Sequence, residues 1–403
     1  MGCVGIVAEY NPFHNGHRHH IAEAKRAAGA DTCLVVMSAD FVQRGEPAVA
    51  DKFTRARWAL QHGADMVIEL PEVFSCACAE RFASGAVRLL AGTGLVDSIC
   101  FGSECGDISL LEKAAESEID PALLRDGLAA GNSYPKAMAM ARGAELGPND
   151  LLGTEYIRAI KKYAPHIKAF TVRRIGDYDD GDMSGEFSSA AAIRRALAPT
   201  ADVQRMSARL FDSLNAALPR RVLTELSELI HDGLCPASSS MLSDAVISRL
   251  RRMSAEEIAA LPEVSEGLEN LFARCSGAGD TAEMLAGVKS KRYTMARLKR
   301  ISICALLGVT EELQSAVAFD DSYLYARVLG IREGRRELIS KLVSSAKIPV
   351  LTQAAERERL CENAKRVLNV SALAHRLYSL ARPYERAADD DAAHRLEEVS
   401  PAE

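Results

Sequence analysis

Cys3-Val4-Gly5-Ile6-Val7-Ala8-Glu9-Tyr10-Asn11-Pro12-Phe13-His14-Asn15-Gly16-His17 carries an apolar run straight into a turn bearing histidine and glycine. The run Cys3–Ala8 predicts a buried strand, and Arg18–Ala28 continues with helical spacing. A strand, a tight loop and a helix start together make a phosphate grip. Gly16 has no Cβ, so its backbone can come close to a ligand. The helix start offers N–H groups and partial positive charge. His14 and His17 can both face an α-phosphate on which negative charge builds during attack. Four of the nine histidines fall at His14, His17, His19 and His20. A solvated, histidine-rich helix start is one alternative. A zinc site of His14, His17 and His20 is another, although no cysteine pair or carboxylate stands nearby in sequence to complete a tetrahedron.

Outward from this stretch, strand-like runs recur at Thr32–Met37, Met66–Glu69 and Ser98–Phe101, and a later one at Ile167–Val172. Helical patterns cover Lys52–His62 and Ser75–Leu90, then Tyr134–Arg142 and Asp150–Tyr163. Gly29, Gly63 and Gly92 stand where left-handed C-caps belong, and Asp51 where an N-cap belongs. This alternation predicts an α/β fold with a Rossmann-like, doubly wound parallel sheet over residues 1–199. From residue 200 to 385 the periodicity is helical only, through Leu210–Leu218, Val222–His231, Met241–Met253, Ala255–Ala260 and Val264–Ala273, which predicts an all-helical C-terminal domain. Residues 386–403, rich in Ala, Asp and Glu, are expected to be a disordered acidic tail.

Ligands of such sheets sit at the carboxyl ends of the strands. That rule selects the His14 loop, the loop Ser38–Pro47, Gly102-Ser103-Glu104, and Arg173-Arg174 with the polar stretch 176–186, which reads as a lid. Ser188 and Ser189 then cap a helix that carries Arg194. His14, His17, Asn11, Gly16, Gly102, Arg174 and Arg194 therefore form the first candidate set: imidazoles for a crowded α-phosphate, arginines for a leaving pyrophosphate. A second set is Lys289, Lys291, Arg292, Arg297, Lys299 and Arg300, six basic residues within twelve, with Tyr293 as a stacking surface and Arg327, Arg332, Arg335 and Arg336 as possible extensions. This island is expected to contact RNA phosphate. A third set, Gln43, Arg44, Gly45, Glu46, Asp51, Lys52 and Arg55, reads equally as a small-substrate pocket or as a structural turn.

Composition narrows the classes. The 403 residues are 48% hydrophobic and carry a net charge of −6, so any nucleic acid must be held by a local patch. No run of apolar residues is long enough for a membrane span, and no signal peptide is expected before the opening strand. The ten scattered cysteines read as reduced thiols of a cytoplasmic protein.

Glu9–His17 resembles the His-x-Gly-His signature of the nucleotidyltransferase superfamily. Its surroundings resemble one branch, the bacterial tRNA(Met) cytidine acetate ligases. The segments that carry the likeness are Met37–Pro47 with Phe-Val-Gln-Arg-Gly-Glu-Pro, Gly63–Pro71, Phe101–Glu104, Asn149–Tyr156 and Lys289–Arg300, and the likeness runs from residue 1 to about residue 380.

The resemblance implies an ATP-dependent carbon–nitrogen ligase. Acetate and ATP would give acetyl-adenylate, and the acetyl group would pass to the wobble cytidine of elongator tRNA(Met) as N4-acetylcytidine. ATP would lie along Val7, Ala8, Glu9, Tyr10, Asn11, Pro12, Phe13, His14, Asn15, Gly16, His17, Arg18, His19 and His20, and against Gly102, Asn149, Arg174 and Ser189. His14, His17 and Arg194 would be catalytic, Mg²⁺ would accompany the triphosphate, and the helical part would cradle the tRNA. No resident metal, membrane or stable protein partner is expected. Ala191 and Ala192 replace hydroxyl residues usual in the family, leaving Ser188 or Ser189 as substitutes, while Asp179 replaces a histidine and Ala39 a glycine. A transferase acting on a small phosphorylated metabolite and a non-catalytic nucleotide-sensing RNA-binding protein share the same signature.

Overall fold

The structure, a computed structural model, describes all residues except 1, 118–119, 131, 133–136, 139–140, 142–145, 176–184, 199–205, 266 and 403. Residues 176–184 of the expected lid, Asp179, most of the expected helix Tyr134–Arg142 and the expected boundary at residues 199–200 lie outside the described residues.

The strands are β1 (Cys3–Ala8), β2 (Thr32–Ser38), β3 (Phe41–Val42), β4 (Glu46–Pro47), β5 (Met66–Leu70), β6 (Ser98–Ser103), β7 (Lys168–Arg173), β8 (Ala326–Arg332), β9 (Val350–Leu351) and β10 (Glu397–Val399). The main sheet runs β10-β8-β5-β2-β1-β6-β7, with β9 beside β8, and β3-β4 is a separate hairpin. β1, β2, β5, β6 and β7 are mutually parallel, as their βα alternation predicts. The order turns back at β1, so the crevice for a ligand lies between the carboxyl ends of β1 and β6.

Side chains of β2 alternate between two cores. Leu34 and Val36 join the core that holds Ile68, Phe101 and Tyr156. Cys33, Val35 and Met37 join the one that holds Ile6, Phe13 and Trp58. The helices flank the sheet with ordinary caps. Asp51 accepts from Thr54 N at 2.9 Å and Gly29 takes φ +60°. Gly92 differs from expectation: its helix continues through it, Ile348 leaves no room for a side chain, and Gly94 adopts the positive φ instead.

The α/β reading holds, and the later part of the chain is largely helical, but three strands return from it to the sheet. β8 pairs antiparallel with β5, and β10 pairs parallel with β8. The segment Val-Leu-Gly-Ile inside β8 is apolar enough for a strand, yet it sits among helical patterns that hide it. Among the described residues, the helical part shares the two cores of the sheet. Leu214, Leu223 and Ile230 pack into one face of the sheet, and Leu250, Ile301 and Val367 into the other.

The acidic tail is likewise ordered rather than frayed. Asp391 is 3% exposed. It sits 2.7 Å from Lys52 Nζ and also pairs with Arg327. Glu69 completes the cluster, 3.1 Å from Lys52 and 3.3 Å from Arg327. Burial disfavours a charged Lys52, but Asp391 and Glu69 outweigh it and raise its pKa. Removing one member of such a cluster leaves an uncompensated buried charge. Asp391→Ala is therefore expected to lower the unfolding free energy by about 3–5 kcal/mol, read as a fall in the denaturant midpoint.

Candidate active site

β1 ends at Ala8, and the loop Glu9–His14 crosses into the helix Asn15–Ala28. Tyr10 holds the loop from inside. It is fully buried, takes the rare φ of +48°, and packs its ring 5.0 Å from Phe13 and 4.9 Å from His17. Arg55, also fully buried, holds it from the helix Lys52–Gln61. Its guanidinium donates to the carbonyls of Glu9 (2.6 Å), Ser38 (3.0 Å), Ala50 (2.8 Å) and Ala39. Asn11 is fixed on both sides: its Oδ1 accepts from Val49 N at 2.8 Å, and its carbonyl accepts from Arg194 Nη1 at 2.8 Å.

The two histidines cap the helix start reciprocally. Gly16 N donates to His14 Nδ1 at 3.1 Å, and His14 N donates to His17 Nδ1 at 3.3 Å. Each Nδ1 is therefore an acceptor, which puts the ring proton on Nε2. The rings stack with centroids 3.7 Å apart. Burial, followed by Arg174 and Arg194, lowers the His14 pKa from 6.5 to about 3. Burial, His14 and Arg174 push His17 well below its usual value. Burial and then Arg174 take His20 to about 4, and its enclosed Nε2 has no partner among the described residues. All three rings are neutral at pH 7, and His14 and His17 each keep one N–H for a ligand.

His14, Gly16, His17, His19 and His20 line a cavity of about 280 Å³ together with Gly102, Asn149, Arg174, Ser189 and Arg194. The structure thus brings the first candidate set together. Arg44 and Arg173 join the rim, and Glu9 is the single carboxylate among the described lining residues. Gly102 touches Arg174, whose Cγ would lie 3.3 Å from a Cβ placed there. Glu104 Oε1 accepts from Asn149 Nδ2 at 2.6 Å and so orients that side chain. Ser189 caps the helix Ala190–Leu197 by accepting from Ala192 N at 3.1 Å, while the Ser188 hydroxyl donates to Gly185 O at 3.0 Å.

Other expected ATP residues turn away. Phe13 is buried in the core against His62, at 5.3 Å between ring centroids. The Asn15 amide donates to Ala216 O at 2.9 Å. Arg18 is exposed, and neither it nor Pro12 lines the cavity. Conversely, Phe82, Phe101, Leu152 and Tyr156 form an apolar wall that the candidate sets did not include. Phe101, an aromatic at the carboxyl end of a strand, is the one signal that could have found it. Of the third set, Gln43 and Arg44 line the cavity, whereas Lys52, Gly45 and Arg55 are structural. Gly45 takes φ +70°, and a Cβ there would fall on the backbone of Lys299 and Arg300.

The family model described as HIGH Nucleotidyl Transferase matches residues 1–392. A tRNA(Met) cytidine acetate ligase of Acetivibrio thermocellus is 37% identical over 400 residues, covering 94% of each chain. One of Thermoanaerobacter sp. is 33% identical over 98% of this chain and 99% of its own. This chain belongs to the tRNA(Met) cytidine acetate ligase family. The crystal structure of Thermotoga maritima TmcAL bound with alpha-thio ATP is 31% identical to it and superposes with a TM-score of 0.88, over 99% of this chain and 100% of that one.

Family membership leaves the basic island to be placed. Lys289, Lys291 and Arg292 are exposed. Arg300 is buried; it forks onto Glu263 at 2.6 Å and reaches Gln43 O at 3.2 Å, so it braces the cleft loop instead of facing RNA. Arg297 grips Glu263 O and Ser265 over the buried Tyr293 ring, and Lys299 pairs with Glu46. Tyr293 is therefore no stacking platform. Arg327, Arg332 and Arg335 do not extend the island either, since they neutralise Glu69, Asp391 and Asp65 at the sheet.

A histidine whose folded pKa lies below its unfolded one binds fewer protons in the folded state. Its contribution to stability is complete above pH 6.5 and is lost as pH falls toward the folded value. The thermal midpoint should therefore drop as pH is lowered from about 6.5 to about 4, with a shallower slope in His20→Gln; equal slopes in the two proteins would contradict the assignment.

Proposed function

We infer that this protein activates acetate with ATP and transfers the acetyl group to N4 of the wobble cytidine in elongator tRNA(Met), acting in the cytoplasm where these substrates meet. One observation carries the reading. Two neutral, stacked imidazoles present Nε2–H donors to a cleft whose described rim carries four arginines and a single carboxylate. Such a cleft suits a polyanion, and neutral donors complement charge that develops only during reaction.

In the activation step an acetate oxygen bonds to the α-phosphorus while the bond to pyrophosphate breaks. His14 and His17 donate to the α-phosphate oxygens, and Arg174 and Arg194 neutralise the departing pyrophosphate. Glu9, the one carboxylate among the described lining residues, would be the side chain to share a Mg²⁺ with the triphosphate, an ion that would add charge neutralisation there. The apolar wall of Phe82, Phe101 and Tyr156 is suited to the adenine ring. The cytidine amine then attacks the acetyl carbon and AMP leaves. The base must leave the anticodon stack to reach it, which assigns the helical segments beyond residue 200, and the exposed Lys289, Lys291 and Arg292, to holding the tRNA.

Full-length protein with ATP, Mg²⁺, labelled acetate and total bacterial tRNA should place label on a cytidine of tRNA; unlabelled RNA would refute the reading. His17→Ala should slow acetate-dependent ATP–pyrophosphate exchange about 10²- to 10³-fold. The double variant Lys289→Glu with Lys291→Glu should weaken tRNA acetylation and its salt dependence while sparing that exchange. Equal loss of both would remove these lysines from the tRNA surface.

A further inference from the structure

Away from the nucleotide cleft, a second group of chemically competent side chains meets where the acidic tail docks. We propose that His375 Nε2, His394 Nε2 and Asp389 Oδ2 form a binding site for one divalent transition-metal ion of the zinc class. These atoms lie within 4.8 Å of one another. Asp389 Oδ2 is 2.9 Å from His394 Nε2 and 3.4 Å from His375 Nε2. Ligands about 2.0–2.1 Å from a tetrahedral zinc stand at comparable separations.

The surroundings are built as the outer shell of such a site. His375 is buried, and its Nδ1 lies 2.8 Å from Asp40 Oδ2. That contact fixes the ring and turns Nε2 toward Asp389, the carboxylate–histidine–metal pattern, in which the arriving ion displaces the Nε2 proton. Asp40 is itself held, accepting from Lys52 N at 2.9 Å. The His394 ring lies flat on Phe53, with centroids 3.8 Å apart and planes at 14°. Both imidazoles are therefore oriented before any ion arrives.

Lys52 and Arg327, buried cations nearby, are paired with Glu69 and Asp391. Asp389 brings its carboxylate to the ion directly, and Asp40, which also lies 3.9 Å from Lys52, does so through His375. His394 opens on a cavity of about 280 Å³, lined also by Asp390, which provides an entry path and room for a water as fourth ligand. The ion would join residues 389 and 394 to the helix Glu362–Tyr378, clipping the tail onto the body.

The test uses the full chain, stripped with a chelator and titrated with Zn²⁺ against a competing chromophoric chelator, with Co²⁺ as a spectroscopic probe. The expected result is one tight equivalent per chain, an intense visible Co²⁺ spectrum of low coordination number, and a rise in thermal midpoint on adding metal. His394→Gln and Asp389→Asn, both at half-buried positions on the tail, should each weaken that equivalent about 100-fold or more and abolish the thermal shift. Absence of a tight equivalent overturns the proposal, since the cluster is then held by protons alone. So does an equivalent that either variant leaves intact, because the metal then sits elsewhere, for instance among His14, His17 and His20. The readouts do not depend on acetylation.

Discussion

Arg55 directs its guanidinium at the carbonyl oxygens of Glu9, Ser38, Ala39 and Ala50, all within the protein interior. Two of these carbonyls, at Glu9 and Ser38, lie where β1 and β2 end. The fork sets the spacing between the two strand ends, and with it the place where the loop Glu9–His14 departs. Lysine has the charge but not the planar set of donors. The loop's other anchors, the Tyr10 ring in its strained backbone position and the two hydrogen bonds of Asn11, act on a segment whose origin is already determined.

From that origin the histidines inherit an unusual pairing. Each lends its Nδ1 to a backbone N–H of the helix start, a task that serine and glutamate perform in an ordinary capping box. The cap acceptor and the free Nε2–H donor are thus opposite edges of one ring. Burial and the nearby guanidiniums keep the rings neutral, so the positive charge of the cleft resides in arginines, while the imidazoles act through direction. Charge and direction are separated between two residue types, each suited to its part.

The first half of the fold was legible because its signals are local. Strand, loop and helix alternate within short windows, and His14, Gly16, His17, Gly102 and Arg194 fall at the strand ends and helix starts that the alternation locates. What escaped depends on distance along the chain. β8 reads as an apolar patch among helices until β5, some 260 residues earlier, supplies its partner. Asp391 belongs to a run of acids that looks solvated, and only Lys52 and Arg327 make it a buried residue. Part of the basic island was hidden in the same way: Glu263 and Glu46, which neutralise Arg300 and Lys299, are remote in sequence. The apolar wall of the cleft was not legible as a ligand surface because any large hydrophobic side chain at those positions would look like core.

The docking of β10 beside β8 has a consequence for how the chain is made. On the ribosome, β1, β2 and β5 emerge early, and segments of a nascent protein begin to fold as they appear. Yet Lys52 and Glu69 wait for residue 391, and the outer strand waits for residues 397–399. Until then one margin of the sheet stands open, with ladder groups exposed. Translation of the helical segments must proceed while that margin is unprotected, so the growing polypeptide has its greatest need of chaperone cover in the interval between β5 and β10.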